Sequence, residues 1–273
     1  MLDAFQLDEE TFFLINSWQA INPKIYAGFT TKNNGVSNYP YSSNNMGLHV
    51  GDKESDVCIN RSRLAEKIQF PLEQWVCAEQ THGHLIQKVD ENDCGKGAKK
   101  YENSIRNRDG LYTTEKNVLL ALCYADCVPI YFYEPKSETI GMVHAGWRGT
   151  VENISKSLLN EWSQNGIDLE DVLVVIGPSI CKQCYIVDNK VIDQIEKLAI
   201  TGTERYYSLV SENQYSLDLK GLNYFLLVSN GISEKNIQVT SYCTSCNFDY
   251  FYSHRRDKGK TGRMIGFIGI RED

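Results

Sequence analysis

Apolar positions along the chain follow two periods, and each period predicts its own elements. Residues 24–31 alternate as a strand and run into a turn led by Asn34-Gly35. Between residues 55 and 69, Val57, Ile59, Leu64 and Ile68 keep helical spacing, and Pro71 follows where the helix must end. Residues 75–80 and 85–89 read as strands on either side of Thr81-His82-Gly83. The central third is almost continuously apolar. It divides into buried strands over residues 117–123, 128–133 and 139–144, each ending on small or polar residues. Past His144 the spacing turns helical, with Val151, Ile154, Leu158, Leu159 and Trp162 on one face, so a single helix is expected to run from the Ala145–Thr150 stretch through Trp162. A strand over 171–176 stops at Gly177-Pro178. Helices are then predicted over 188–198 and 217–230, strands over 237–242 and 264–268, and a loop or helix over 248–256. Several successive strands have no helix between them. This favours an α+β fold with a mixed sheet over strict βαβ winding. No linker, repeat or low-complexity tract interrupts residues 1–273, so one domain is expected.

Composition narrows the function classes. The net charge is −7, and no block of Lys and Arg stands out beyond the short run His254-Arg255-Arg256-Asp257-Lys258. A duplex-binding or anionic-membrane surface is not expected from such a charge pattern. The N-terminal stretch is acidic where a signal peptide needs a basic start, and the longest apolar run carries Asp126 in its middle. A cytoplasmic protein is the expectation. Nine cysteines, an odd number, then read as thiols or metal ligands rather than a disulfide framework.

Histidine is scarce, and two of the five stand where sites gather. His82 lies in a turn, and His144 ends an apolar strand before a glycine. On position alone a packed structural histidine is the favoured reading of each. Asp126-Cys127 breaks an otherwise apolar strand pair. Two imidazoles and a thiolate suit Zn²⁺ and leave a fourth position open, although their separations match no local zinc signature. Ala145-Gly146-Trp147-Arg148-Gly149-Thr150 opens the expected helix, where free N–H groups and Arg148 would receive an anion. The alternative is a Thr150 cap with Arg148 in solvent. Two C-x-x-C pairs, Cys181/Cys184 and Cys243/Cys246, lie too far apart for a compact zinc ribbon. Unpaired thiols are expected there, with a four-cysteine zinc as the alternative.

Taken together, these words resemble the YfiH/YlmD-like family, also called the multicopper polyphenol oxidase or laccase-domain family, with FAMIN-like relatives. The matching words run nearly end to end. They include Asn45-Met46-Gly47, Asn60-Arg61, Gln80-Thr81-His82-Gly83, Asp109-Gly110-Leu111, Ala125-Asp126-Cys127-Val128-Pro129, His144-Ala145-Gly146-Trp147-Arg148-Gly149, Cys184-Tyr185 and Thr261-Gly262-Arg263. The resemblance implies a single-domain sandwich of helices around a mixed β-sheet, similar to a bacterial deamidase toxin. It implies that His82, Cys127 and His144 bind zinc, with copper in some reports. It further implies purine nucleoside phosphorylase activity on adenosine, inosine and S-methyl-5'-thioadenosine, with adenosine deaminase activity beside it.

Phosphorolysis needs an anion site and a group that protonates or polarises the purine. Arg148 and Arg61 are candidates for the first, Asp126 for the second, and Cys127 counts as both ligand and catalytic residue. Asn45, Arg61, Gln80 and Arg148 are the expected substrate-binding residues. Deamination would use a zinc-activated water, with Asp126 or Asp109 moving its proton. Two alternatives use the same atoms. Two histidines and a cysteine also describe a copper site, but five histidines are too few for the several copper centres of an ordinary laccase. A hydrolase with Cys127 as nucleophile and His144 as base would leave His82 without a role.

Overall fold

The computed structural model describes residues 3–272. Met1, Leu2 and Asp273, the ends of the expected N-terminal reading and of the expected domain span, lie outside them. The fold is mixed α+β, and its β part is two six-stranded sheets and a small three-stranded one. The first sheet orders its strands Gln6–Glu9, Phe12–Leu14, Ile25–Thr30, Met264–Ile270, Leu119–Tyr124 and Trp75–Cys77. The second runs Ile237–Val239, Leu173–Ile176, Val128–Glu134, Thr139–Ala145, Gly110–Thr113 and Ile86–Lys88. Most neighbours pair antiparallel. Trp75–Cys77 with Leu119–Tyr124, Leu173–Ile176 with Ile237–Val239, and Ile86–Lys88 with Gly110–Thr113 pair parallel.

Alternation along the central strands explains the layering. Leu120, Leu122 and Tyr124 of the first sheet and Tyr131 and Tyr133 of the second meet in one shared core. Their alternate residues face outward into separate cores. Leu119 and Ala121 meet Leu64, Ala65 and Ile68, while Ile130 and Phe132 meet Leu158, Leu159, Trp162, Leu222 and Leu226. The order is therefore helix, sheet, sheet, helices. Strands buried on both faces lose the polar half of the alternation, which is why residues 118–133 read as an apolar run broken only at Asp126. Two buried tyrosines tie the layers. Tyr131 donates to the carbonyl of Gly28 at 2.8 Å and Tyr124 to that of Val143 at 3.0 Å.

Local signals place the elements well. The helix Glu54–Ile68 carries Glu54 and Asp56 in its first turn and Lys67 in its last, and Gln69 ends it in the left-handed region at φ 55°. Residues 248–256 form turns, not a helix. The expected single helix after His144 is in fact two, Trp147–Val151 and Ile154–Gln164. Asn153, at φ 54°, breaks them and caps the second by accepting from the Lys156 amide. Among the described residues, no helix is long and apolar enough to cross a membrane.

One expected substrate contact belongs to this scaffold. Arg61 is buried on its helix, and its guanidinium donates to the carbonyls of Met46, Gly97 and Ala98 at 2.6–2.9 Å. With every donor face used on backbone, Arg61 braces loops instead of receiving an anion. Arg61→Leu is expected to destabilise the fold by about 3 kcal/mol, since three carbonyls lose a charged donor. Urea denaturation measures this, and phosphate KM in the folded variant should not change.

Candidate metal centre

The second sheet gathers the site by register. Val128 pairs with Ala145 and Pro129 with His144, so Cys127 lies beside Gly146 across the hairpin. Gly110 pairs with Val143, and the His144 amide donates to the Asp109 carbonyl at 2.7 Å. Ile86 pairs with Gly110, which delivers the turn holding His82. Four strand ends thus converge. The first sheet adds the corner, because its strand Leu119–Tyr124 crosses through Ala125-Asp126-Cys127 into the strand Val128–Glu134.

Both bends are left-handed at residues other than glycine: His82 has φ 62° and Asp126 φ 86°. Such conformations persist only where surroundings enforce them, and here two carboxylates do. Asp109 accepts from the amides of Thr81 at 3.1 Å, His82 at 3.0 Å and Gly83 at 2.8 Å. It also lies 2.8 Å from His144 Nδ1. Asp126 accepts from Thr244 Oγ1 at 2.6 Å, Ser253 Oγ at 3.0 Å and the Arg255 amide at 2.7 Å. Its expected role as acid or base therefore gives way to a positioning one, holding two loops at the sheet crossover.

His82, Cys127 and His144 each turn one ligand atom to within 4.8 Å of the others. The rings of the two histidines meet edge to face, centroids 4.8 Å apart. Close packing of glycines makes this approach possible. A Cβ on Gly146 would lie 3.1 Å from Cys127 Sγ and 3.4 Å from His82, and one on Gly149 would lie 2.8 Å from the Gly83 carbonyl.

Electrostatics favour a thiolate. Burial alone would push Cys127 up, but the imidazoles of His144 and His82 override it and bring the thiol down to about 6. Burial likewise opposes a charge on His144, yet Cys127 and Asp109 raise it to about 9. With Nδ1–H given to Asp109, Nε2 is the nitrogen left to ligate, the usual outer arrangement of zinc histidines. A soft thiolate, two imidazoles and a fixed tautomer fit zinc. The charge on Cys127 has a measurable sign. In metal-free protein, its alkylation rate should climb with pH only to about 6 and then level off, whereas an ordinary thiol keeps gaining up to about 8.5. Mass spectrometry of iodoacetamide-treated protein reads this, with Cys77, held up at about 11, as the unreactive control.

His82, Cys127 and His144 line a cleft of about 390 Å³, within the range of small-molecule sites. Gln80, Arg148, Tyr185, Arg255, Arg263, His49 and His254 are among its lining residues. Gln80 is fixed at both ends by Cys123, whose amide donates to Oε1 at 2.7 Å and whose carbonyl accepts from Nε2 at 2.8 Å. Arg148 is exposed and lies over the Trp147 ring at 4.7 Å, while Arg255 lies over Tyr185 at 4.9 Å. His49 is kept neutral, burial and then the nearby Arg263 and Arg61 bringing it down to about 4. Asn45 is not at the cleft surface. It is buried, donates to Asp52 and accepts from the amides of Gly47 and Arg263. The expected anion site at a long helix start is also corrected, since Trp147–Val151 has only five residues. Arg148, the side-chain half of that expectation, does line the cleft, beside Arg255 and Arg263. In the sequence Arg255 stands out only within a short charged run, and Arg263 and Tyr185 only as parts of family words, with no pattern that marks them as cleft residues.

Residues 26–271 match the multi-copper polyphenol oxidoreductase laccase family, and the chain belongs to it. It is 44% identical over 98% of both chains to a Bacillus subtilis protein named purine nucleoside phosphorylase YlmD. A protein of the same name from Geobacillus stearothermophilus is 48% identical over 90% of both. The crystal structure of the Bacillus licheniformis hypothetical protein YfiH superimposes with a TM-score of 0.96 at 44% identity, covering 99% of this chain and 100% of that one.

Proposed function

We propose that the protein is a purine nucleoside phosphorylase acting on adenosine, inosine and S-methyl-5'-thioadenosine, with adenosine deaminase activity at the same centre. The observation that carries the reading is a cleft lined both by the His82–Cys127–His144 ligand cluster and by three arginines. The relatives' shared name supports phosphorolysis. We also read residues 1–273 as one domain, because strand ends from both large sheets close on this one cleft.

In phosphorolysis, a phosphate oxygen forms the new bond to C1′ of the ribose while the glycosidic bond breaks and its electron pair leaves with the purine. Arg148, Arg255 and Arg263 would hold the dianion, which a protein must bind with fixed donors in a sheltered site. Gln80, pinned on Cys123, is a rigid wall for the nucleoside. When bound, zinc supplies a Lewis acid with one open position and the means to activate water for deamination. Asp109 keeps the His144 proton on Nδ1, and Asp126 keeps Arg255 and Thr244 in place. Arg148→Ala and Arg263→Ala should each raise phosphate KM by about tenfold or more, the loss of one charge-assisted pair, with a smaller change in nucleoside KM. Initial rates of ribose 1-phosphate formation across phosphate concentrations decide this. An unchanged phosphate KM in both variants would place the anion elsewhere.

A second reading has one observation in its favour. Cys127, His144 and Asp109 stand in the order nucleophile, base and orienting carboxylate, with His144 Nδ1 2.8 Å from Asp109. As a metal-free hydrolase the protein would keep its turnover after chelation. As a phosphorylase with a zinc centre it loses turnover and regains it on adding zinc. The oxidase reading carried by the family description lacks further copper ligands. Among the described residues, the other ligand group consists of four thiols.

A further inference from the structure

The four thiols come from the two C-x-x-C pairs that were expected to remain unpaired. Cys181 precedes and Cys184 ends the turn Lys182–Cys184, and Cys243 precedes and Cys246 ends a turn of the same length over residues 244–246. The chain brings them together through a parallel bridge between Ser179 and Cys243, with the Thr244 amide donating to the Ser179 carbonyl at 3.2 Å. All four Sγ atoms lie within 4.8 Å of one another. Cys246 Sγ is 3.8 Å from Cys181 Sγ and 3.4 Å from Cys184 Sγ. A disulfide requires about 2.05 Å, and every cysteine is free. Tetrahedral zinc with Zn–S bonds of about 2.3 Å requires sulfur–sulfur edges of about 3.8 Å.

We propose that Cys181, Cys184, Cys243 and Cys246 form a second, closed zinc site, separate from the centre at His82, that clamps the two loops behind the cleft. The surroundings fit a bound tetrathiolate. The amides of Cys181 and Cys246 donate to Cys243 Sγ at 3.2 and 3.4 Å, donors that sustain a thiolate. Two cations brace the second turn from behind. Arg256 donates to the carbonyls of Thr244 and Ser245 at 3.0 and 3.2 Å. Buried Lys220 donates to those of Thr240 and Tyr242 at 3.0 and 2.9 Å. Four sulfur ligands leave no open position, so the site is structural.

Its position gives it a task. Tyr185, directly after Cys184, lines the cleft. Thr244, between Cys243 and Cys246, donates to Asp126 at the sheet crossover. One ion would therefore tie together a wall of the cleft and the support of its corner.

The test is elemental analysis of protein purified without chelators, comparing the wild type with His82→Ala, Cys184→Ser and Cys246→Ser. The proposal predicts that each cysteine variant carries one zinc fewer than wild type, and that His82→Ala still carries one. Cobalt exchanged into His82→Ala should show the sulfur-to-metal charge-transfer band of a tetrathiolate. Because a cysteine variant could simply misfold, zinc release from folded His82→Ala protein, which keeps all four thiols, is titrated with a mercurial reagent, and its one ion should leave as those four thiols are modified. A His82→Ala protein without zinc whose four thiols react freely would overturn the site, as would a Cys184–Cys246 disulfide found by mass spectrometry. Neither result bears on the phosphorylase reading, which rests on the other centre.

Discussion

Cys127→Ser and His82→Ala are expected to purify without zinc at the cleft and to lose nucleoside turnover together. The loss should exceed the 10- to 100-fold that removing an outer partner of a metal ligand typically causes (roughly), because a ligand itself is gone. Cys127→Ser is the more telling variant. It keeps size and a hydroxyl, but it discards the one soft anion of the site, whose thiol the two imidazoles hold near 6. Zinc content by elemental analysis and product formation by chromatography check both halves. Full turnover in a Cys127→Ser protein that has lost the cleft zinc would remove the centre from the chemistry.

Asp109→Asn is expected to have the second-largest effect, though Asp109 touches no substrate. Its carboxylate receives His144 Nδ1 and three successive amides from Thr81 to Gly83. An asparagine has one acceptor oxygen, so its NH₂ must face a donor. The turn that holds His82 at φ 62° loses a support, and His144 loses the partner that fixes its tautomer. Zinc affinity should fall by roughly 10- to 100-fold. Folding stability should fall by about 2–3 kcal/mol, the cost of leaving buried donors unmatched. Competition with a chelator reads the first and urea denaturation the second. A variant that loses stability but keeps wild-type affinity would make Asp109 a scaffold residue only.

Much of the frame was legible because burial writes itself into periodicity. The apolar runs over residues 117–144 translate into the strands Leu119–Tyr124, Val128–Glu134 and Thr139–Ala145. That these strands belong to two stacked sheets was not legible, since a strand buried on both faces looks the same in one sheet or two. The strands Gln6–Glu9 and Tyr207–Ser211 were missed for the opposite reason, their side chains being mostly exposed and without alternation. The break at Asn153 was hidden because Val151, Ile154 and Leu158 keep helical spacing across it, and only the left-handed asparagine marks the stop.

At the site, residue chemistry was more legible than residue role. His82, Cys127 and His144 come together as the family words imply. Asp109 read as part of a family word and as a candidate proton carrier, because no spacing reveals a carboxylate that serves four donors from two other segments. Arg61 read as an anion site because an arginine in a familiar word invites it, yet its partners are backbone carbonyls that no sequence pattern exposes. The two cysteine pairs were set aside on their long separation. Strand pairing between Ser179 and Cys243 closes that gap in space.

The central claim is phosphate-dependent cleavage of purine nucleosides at the zinc cleft. Its most direct test is chromatography of adenosine and inosine incubated with zinc-loaded enzyme, with and without inorganic phosphate. The account predicts adenine and hypoxanthine with ribose 1-phosphate only when phosphate is present, and inosine from adenosine in either case. Intact nucleosides in the presence of phosphate and zinc would contradict it.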